Sequence, residues 1–247
     1  MSGTSPFAYL RWHARDSLLR SVVPLLLFTA IAVLPIRSLV SRFGMDAIRE
    51  GGQLQQNVLQ IYSQTLTLAM TLGAVLLLSG FVAQDRERGH VRFLFAAPVV
   101  PWQHYLMRAL VAVLMFTALF VLIPIGFSRL VVPVEIAGVL KSALLFAALY
   151  GGLAMLAGAL ANKDGVLFIL LVVATTILQQ LDKGELLSQP LAGLARALPP
   201  LVLADGVRSR WLAGFEPASA DLLHVGLYAV ALYVVALVVI RRTPLAR

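Results

Sequence analysis

The chain is predicted to be an all-α integral membrane protein, with six transmembrane helices in a single transmembrane domain, 1–247. Hydrophobic residues make up 60% of the sequence, charged residues 13%, and the mean hydropathy is +0.87, whereas a soluble domain carries roughly 25% charged residues. Several apolar runs reach the ~20 residues that cross a bilayer as a helix. The sequence contains no cysteine, which excludes disulfides and thiolate metal sites.

Six apolar runs mark the predicted spans. The first is short and ends before Arg37, whose side chain can reach the interface. The fourth is rich in Ala and Gly, which favours close helix packing, and only a three-residue turn, 162–164, separates it from the fifth. The spans are predicted at 21–36, 61–83, 106–127, 142–161, 165–181 and 222–240.

Two segments outside the spans are also expected to be helical. Residues 6–20 can turn apolar side chains to lipid and charged ones to water, as in an interfacial helix; the alternative is a simple basic flank. The connection 182–221 is partly apolar but is divided by Pro190, Pro199 and Pro200. No full span fits between these prolines, so we expect one or two short re-entrant or surface helices there.

The distribution of positive charge predicts the orientation. The side with both termini, the 85–105 segment and the 162–164 turn carries eleven Lys and Arg, counting Arg108 at the start of the third span, against four Asp and Glu; the other side carries nine against eight. Both termini are therefore expected in the cytoplasm, and 182–221 outside. The net charge of +8 follows from this topology, and no nucleic-acid partner is expected.

The connection between the second and third spans begins with a charged cluster, Asp85-Arg86-Glu87-Arg88-Gly89, directly after an apolar run. A charged residue at mid-bilayer costs about 2.5–3.5 kcal/mol on insertion scales, so the cluster is expected at the membrane surface. A short amphipathic helix in 85–104 would be well placed there for a soluble partner to contact and displace it.

Motifs of self-contained catalysis are absent from the sequence. It has no G-x-x-x-x-G-K-[ST] loop, no H-E-x-x-H and no G-x-S-x-G. No metal site is expected from the histidines, which lie far apart at 13, 90, 104 and 224. No predicted span has an acidic residue near its middle, which argues against a proton-coupled carrier.

Two sets of polar residues accompany the spans. One set leads into the second span and continues along it, at intervals of 4, 3, 4, 3 and 4 residues. Its members share one helical face: Gln53, Asn57, Gln60, Gln64, Thr67 and Thr71. That face should meet protein or water; alternatively, its threonines bond back to their own helix and the rest lies outside the membrane. The other set, near the outer end of the fifth span, would line a pathway or mark the interface: Thr175, Thr176, Gln179 and Gln180.

The charged connection resembles that of a known family. Asp85-Arg86-Glu87-Arg88-Gly89, then Phe93-Leu94 and Ala97-Pro98-Val99, is similar to the E-R-E-x-G, L-L, P-[VL] segment between spans two and three in permease subunits of type-2 ABC transporters. Gln84-Asp85 stands where a glutamate is common in that family, and His90-Val91 replaces a more usual Thr-Leu. Six spans, cytoplasmic termini, a surface helix at the N-terminus and a partly buried outer loop also match.

The resemblance implies that translocation and ATP hydrolysis are carried out by different subunits. The chain would be a permease in a prokaryotic cytoplasmic membrane, expected by family analogy to work in export, and would form half of a translocation pathway with a second or homologous permease. A separate ABC ATPase subunit would bind ATP and Mg, so this chain would be no enzyme and hold no cofactor. Coupling to the ATPase would fall to Asp85, Arg86, Glu87, Arg88 and Gly89.

The resemblance also implies which residues line the pathway. In this family the second and fifth spans of the two halves face each other across the central cavity. Applied to this sequence, the lining residues would be Gln60, Gln64, Thr67, Thr71, Thr176 and Gln179.

Two other functions stay open at the level of sequence. A membrane-embedded enzyme acting on lipid or peptide would use Asp85, Glu87 and His90 as acid, base or ligand. A carrier that works without ATP is the second alternative. Co-purification of a bound ATPase subunit would distinguish the permease hypothesis from these two alternatives.

The absence of cysteine allows a clean test of the orientation. Single cysteines replace Ser2, Ser188 and Ala246, and intact cells are treated with a membrane-impermeant thiol reagent. Only the Ser188→Cys protein should be labelled from outside, since both termini are predicted to face the cytoplasm. Labelling at position 2 or 246 in intact cells would show that the predicted orientation is wrong.

Overall fold

The computed structural model describes residues 52–78, 101–130, 135–161, 164–212 and 214–242, with single positions at 26, 38, 41, 42 and 44. All regular secondary structure in these ranges is helical. The helices in chain order are α1 (Gly52–Leu78), α2 (Pro101–Leu130), α3 (Ile136–Leu160), α4 (Asp164–Lys183), α5 (Gln189–Ala197), α6 (Leu201–Leu212) and α7 (Ser219–Arg242).

Five of these helices, α1, α2, α3, α4 and α7, are long and apolar enough to cross a membrane. They correspond to the second to sixth predicted spans, so the prediction of an all-helical chain built on long apolar helices is confirmed for the described ranges. The interfacial helix 6–20, residues 85–100 of the coupling segment and, apart from Leu26, the predicted first span 21–36 lie outside the described residues.

The helices extend beyond the predicted spans, because a helix need not end where the hydrocarbon ends. α1 begins at Gly52 instead of at 61, so that the polar residues before the span are also helical. α2 begins at Pro101, since the fixed φ and missing N–H of proline suit the first helical position. The last four residues of the predicted coupling segment 85–104 therefore belong to α2.

Helix α3 lies at the centre of the bundle. In the part that could cross a membrane, 72% of α3 is buried, and α3 packs against α1, α2, α4, α6 and α7. Its glycines explain the close contact with α7: a Cβ built on Gly152 would lie 2.9 Å from Leu232 Cβ and 3.2 Å from the Ala229 carbonyl oxygen. Small residues let helices approach within van der Waals contact. In lipid this packing drives helix association, because the hydrophobic effect of water is missing there.

Aromatic rings fasten the other side of α3 to α4. The Phe146 and Tyr150 rings stack with centroids 5.4 Å apart, and Tyr150 meets Phe168 of α4 edge-on at 6.0 Å. Phe146 and Phe168 are almost fully buried. Such a pair stabilises by about 0.5–1.5 kcal/mol beyond its buried area, so the Tyr150–Phe168 contact stabilises the packing of α4 on α3.

The connection between α4 and α7 contains two short helices, α5 and α6. Pro190 lies in the first turn of α5, and Pro199 and Pro200 separate the two helices. α5 packs on α4, and α6 packs on α3, α4 and α7. The Tyr228 hydroxyl of α7 donates a hydrogen bond to the Ala197 carbonyl at the end of α5. The pair is thus folded back onto the bundle.

The α3–α7 contact predicts opposite effects for two glycine substitutions. Gly152→Ala should lower the free energy of unfolding by roughly 1–3 kcal/mol, because the added methyl overpacks a rigid contact. Gly226→Ala on α7 meets open space and should raise it by roughly 0.5–1 kcal/mol, the helix preference for alanine. Thermal unfolding in detergent measures both. Equal melting temperatures would show that α3 and α7 are not tightly packed at Gly152.

Candidate functional site

A cavity of about 330 Å³ lies where α1, α3, α4 and α6 meet. Its polar lining comes from all four helices: Thr71, Tyr150, Thr176, Gln180 and Asp205. The remaining wall is apolar and consists of Phe146, Val172, Val173, Ile177, Leu201 and Val202. An apolar cavity with a few converging polar groups is the usual form of a small-molecule site.

Beside the cavity lies a buried arginine, Arg208 of α6, only 3% exposed. Its Nη2 forms an ion pair with Asp205 Oδ1 at 2.8 Å, one helical turn away. Its Nη1 donates a long hydrogen bond of 3.4 Å to the Ser63 carbonyl on α1, and the guanidinium lies 5.8 Å from the Phe146 ring centroid. These contacts compensate the loss of water around a buried charge.

The environment of Arg208 acts on its ionisation in two directions. Burial lowers the pKa of Arg208, and the adjacent Asp205 carboxylate raises it. An arginine keeps its proton in proteins, so a positive charge is held between α1, α3 and α6. Among the described residues, Nε of Arg208 has no hydrogen-bond partner.

Gln179 of α4 holds α5 and α6 in place. Its Nε2 donates to the carbonyls of Ala195 at 3.3 Å and Pro199 at 2.8 Å, and its Oε1 accepts from the N–H of Val202 at 3.0 Å. Val202 lies in the first turn of α6, where backbone N–H groups have no partner within the helix. The Gln179 side chain thus provides hydrogen-bond partners for backbone groups at the end of α5 and at the start of α6.

The far end of α6 is fixed against the start of α3. A Cβ on Gly138 would collide with the Trp211 carbonyl, so α6 approaches the α3 backbone directly. Glu216 accepts hydrogen bonds from Lys141 Nζ at 2.6 Å and from Trp211 Nε1 at 3.2 Å. These two donors lower the pKa of Glu216, so this attachment is present above the ordinary carboxyl pKa and is lost only when the pH falls through the lowered value.

The predicted pathway residues fall into three groups. Thr71 and Thr176 line the same cavity; the hydroxyls of Thr71 and Tyr150 are hydrogen-bonded, and Thr176 donates to the Val172 carbonyl of its own helix at 2.8 Å. Gln60 and Gln64 are exposed on α1 and do not line the cavity.

Gln179 forms the third group, since its amide is engaged with α5 and α6. The side chain of Thr67 lies outside the part of the chain that the structure describes, as do all five coupling residues, Asp85, Arg86, Glu87, Arg88 and Gly89.

Sequence reasoning missed the Asp205–Arg208 pair. From the sequence, the charges of the connection 182–221, where this pair lies, contributed only to the predicted orientation. The available signal was an Asp and an Arg three residues apart, on one helical face and among the apolar residues of 201–212. Within the described ranges, no three His, Asp or Glu side chains come together as a metal site.

A scan against protein-family models finds no matching family, and a search of curated proteins finds no significant match.

The hydrogen bonds of Gln179 predict how α6 is retained. Gln179→Met keeps the side-chain size but removes three hydrogen bonds. Two of them, to the Pro199 carbonyl and the Val202 N–H, hold the start of α6, and each contributes about 0.5–1.5 kcal/mol. Amide hydrogen exchange of 201–212 should therefore become roughly 5- to 150-fold faster, as expected for a loss of about 1–3 kcal/mol in local stability. The control is Gln180→Met, on the next residue, which should leave exchange unchanged. Equal exchange in both variants would mean that other contacts hold α6.

Proposed function

We propose that the chain is the membrane permease subunit of an ATP-driven type-2 ABC transporter, an exporter, and forms half of its translocation pathway. The observation that carries the proposal is the helix pair α5–α6, which folds back onto the bundle directly before the last long helix and places Asp205 at a cavity between long helices. A partly buried outer loop at this point of the chain is what the resemblance implies. The charged segment 85–99 supports the same family.

Energy input is proposed to act on the charged sequence 85–89, whereas a solute would be bound in the cavity. A cytoplasmic ATPase subunit, binding ATP and Mg, would press on the surface segment that begins at Asp85. The charges of Glu87 and Arg88 suit charge-assisted hydrogen bonds to that partner or to the N-terminal helix, and Gly89 suits the turn between span and surface helix. A second permease would complete the pathway, in a prokaryotic cytoplasmic membrane with both termini inside.

The helices that line the cavity suggest how a movement caused by the ATPase subunit would affect a bound solute. Thr71 belongs to α1 and Thr176 to α4, whereas Tyr150 belongs to the central helix α3. α1 follows the predicted first span and leads into the charged segment, so a displacement of that segment acts on α1 first. A shift of α1 relative to α3 and α4 would change the cavity, as alternating access requires.

The proposal is tested by isolating the tagged full chain from its native host in mild detergent and assaying the eluate for MgATP hydrolysis. A bound ATPase subunit is expected. Glu87→Ala should leave membrane insertion intact and lower the captured ATPase activity about tenfold or more, because a hydrogen bond to a charged group contributes roughly 1.5–3 kcal/mol.

The matched control is Glu135→Ala, an exposed glutamate before α3 whose side chain makes no capping hydrogen bond; it should retain full activity. If no ATPase accompanies the chain, the permease assignment is wrong. If capture is normal but Glu87→Ala and Arg88→Ala are both fully active, the charged cluster has no coupling role.

A further inference from the structure

The Asp205–Arg208 ion pair presents its negative end to the cavity. The Arg208 side chain is 4% exposed and the Asp205 side chain 50% exposed. Asp205 lines the cavity, and Arg208 does not. A solute in the cavity therefore meets a carboxylate first, with the compensating positive charge on the far side of it.

Among the other polar groups of the cavity, the Thr176 oxygen is an acceptor, whereas the Gln180 amide can both donate and accept. The Thr176 hydroxyl hydrogen is donated to the Val172 carbonyl, so its oxygen accepts. The Thr71 and Tyr150 hydroxyls are bonded to each other. The N–H of Val202, at the positive end of α6, is already taken by Gln179 Oε1. The carboxylate of Asp205 and the Thr176 oxygen are thus acceptors, which favours a solute that donates hydrogen bonds to them.

The rest of the wall suits an apolar body. Aliphatic side chains of α4 and α6 line one part, and the rings of Phe146 and Tyr150 line the other. Aromatic faces attract cations electrostatically. A volume of about 330 Å³ holds a small organic molecule and lies at the lower end of the usual range for such sites.

We infer that this cavity binds a lipophilic organic ammonium ion, with Asp205 as its counter-ion and the α4 and α6 side chains around its apolar part. An anion of the same shape would meet the carboxylate, and a neutral molecule would gain no ionic contact. The inference names the solute class of the proposed permease and rests on the proposed function for transport, whereas binding is a property of this chain alone.

The test uses three probes of one shape and different charge: 4-phenylbutylammonium, 4-phenylbutanol and 4-phenylbutyrate. Binding to the full chain in lipid nanodiscs is measured by equilibrium dialysis, with empty nanodiscs subtracted. The ammonium ion should bind at least tenfold more tightly than either other probe. Equal binding of ammonium ion and alcohol, tighter binding of the carboxylate, or no binding of the ammonium ion at millimolar concentration would each overturn the inference.

Variants connect the preference to the cavity. Asp205→Asn should abolish the tenfold preference for the ammonium ion, and its survival in this variant would contradict the role of Asp205. Because Asp205→Asn leaves Arg208 without its counter-ion and can impair folding, Ile177→Trp provides a second test: it fills the cavity from an exposed position and keeps the ion pair. Ammonium binding should fall at least tenfold in Ile177→Trp, and unchanged binding would place the site elsewhere.

The matched control is Asp182→Asn. Asp182 is also an ion-paired aspartate, 3.1 Å from Arg196 Nε, but it does not line the cavity. Its substitution should leave the ammonium preference unchanged; an equal loss would show that the preference reflects overall charge. Since binding is measured without an ATPase, a failed ATPase capture leaves this site standing, and a failed binding test leaves the permease proposal standing.

Discussion

The buried charge of Arg208 is the constraint on which the arrangement around the cavity depends. A guanidinium removed from water is tolerated only with partners, and this one takes them from three helices: Asp205 of α6, the Ser63 carbonyl of α1 and the ring of Phe146 on α3. If α6 moved away from the bundle, the charge would lose two of these contacts at once. The polarity of Arg208 therefore specifies where α6 lies.

Helix α3 makes this arrangement possible through small residues at some positions and rings at others. Gly138 lets the end of α6 approach the α3 backbone, and Gly152 does the same for α7. Between these levels Phe146 and Tyr150 provide bulk on the α4 side. The cavity lies against these α3 side chains, and the short helix α6 beside it is attached at both ends.

These physical features fit the proposed transporter subunit because they separate two tasks. The charges of 85–89 suit contact with a soluble partner, whereas the cavity suits contact with a solute. Helix α1 connects them, since it leads into that segment and carries Thr71 in the cavity wall. The negative end of a compensated ion pair attracts a cation without placing a net charge inside the bundle, which limits the cost of burial.

The sequence by itself determined the class and the long helices, because a hydrocarbon solvent demands long apolar helices and composition alone reports them. Helix α1 begins before the predicted second span, and it includes Gln60, which the sequence had placed on the same helical face as Thr71. Only the tertiary structure decided the roles of Gln179 and Arg208. Gln179 belongs by sequence to a polar set at a helix end, yet its partners lie 16, 20 and 23 residues away. Arg208 meets the Ser63 carbonyl across 145 positions; no local pattern encodes such a contact, because it depends on how short helices dock onto the finished bundle.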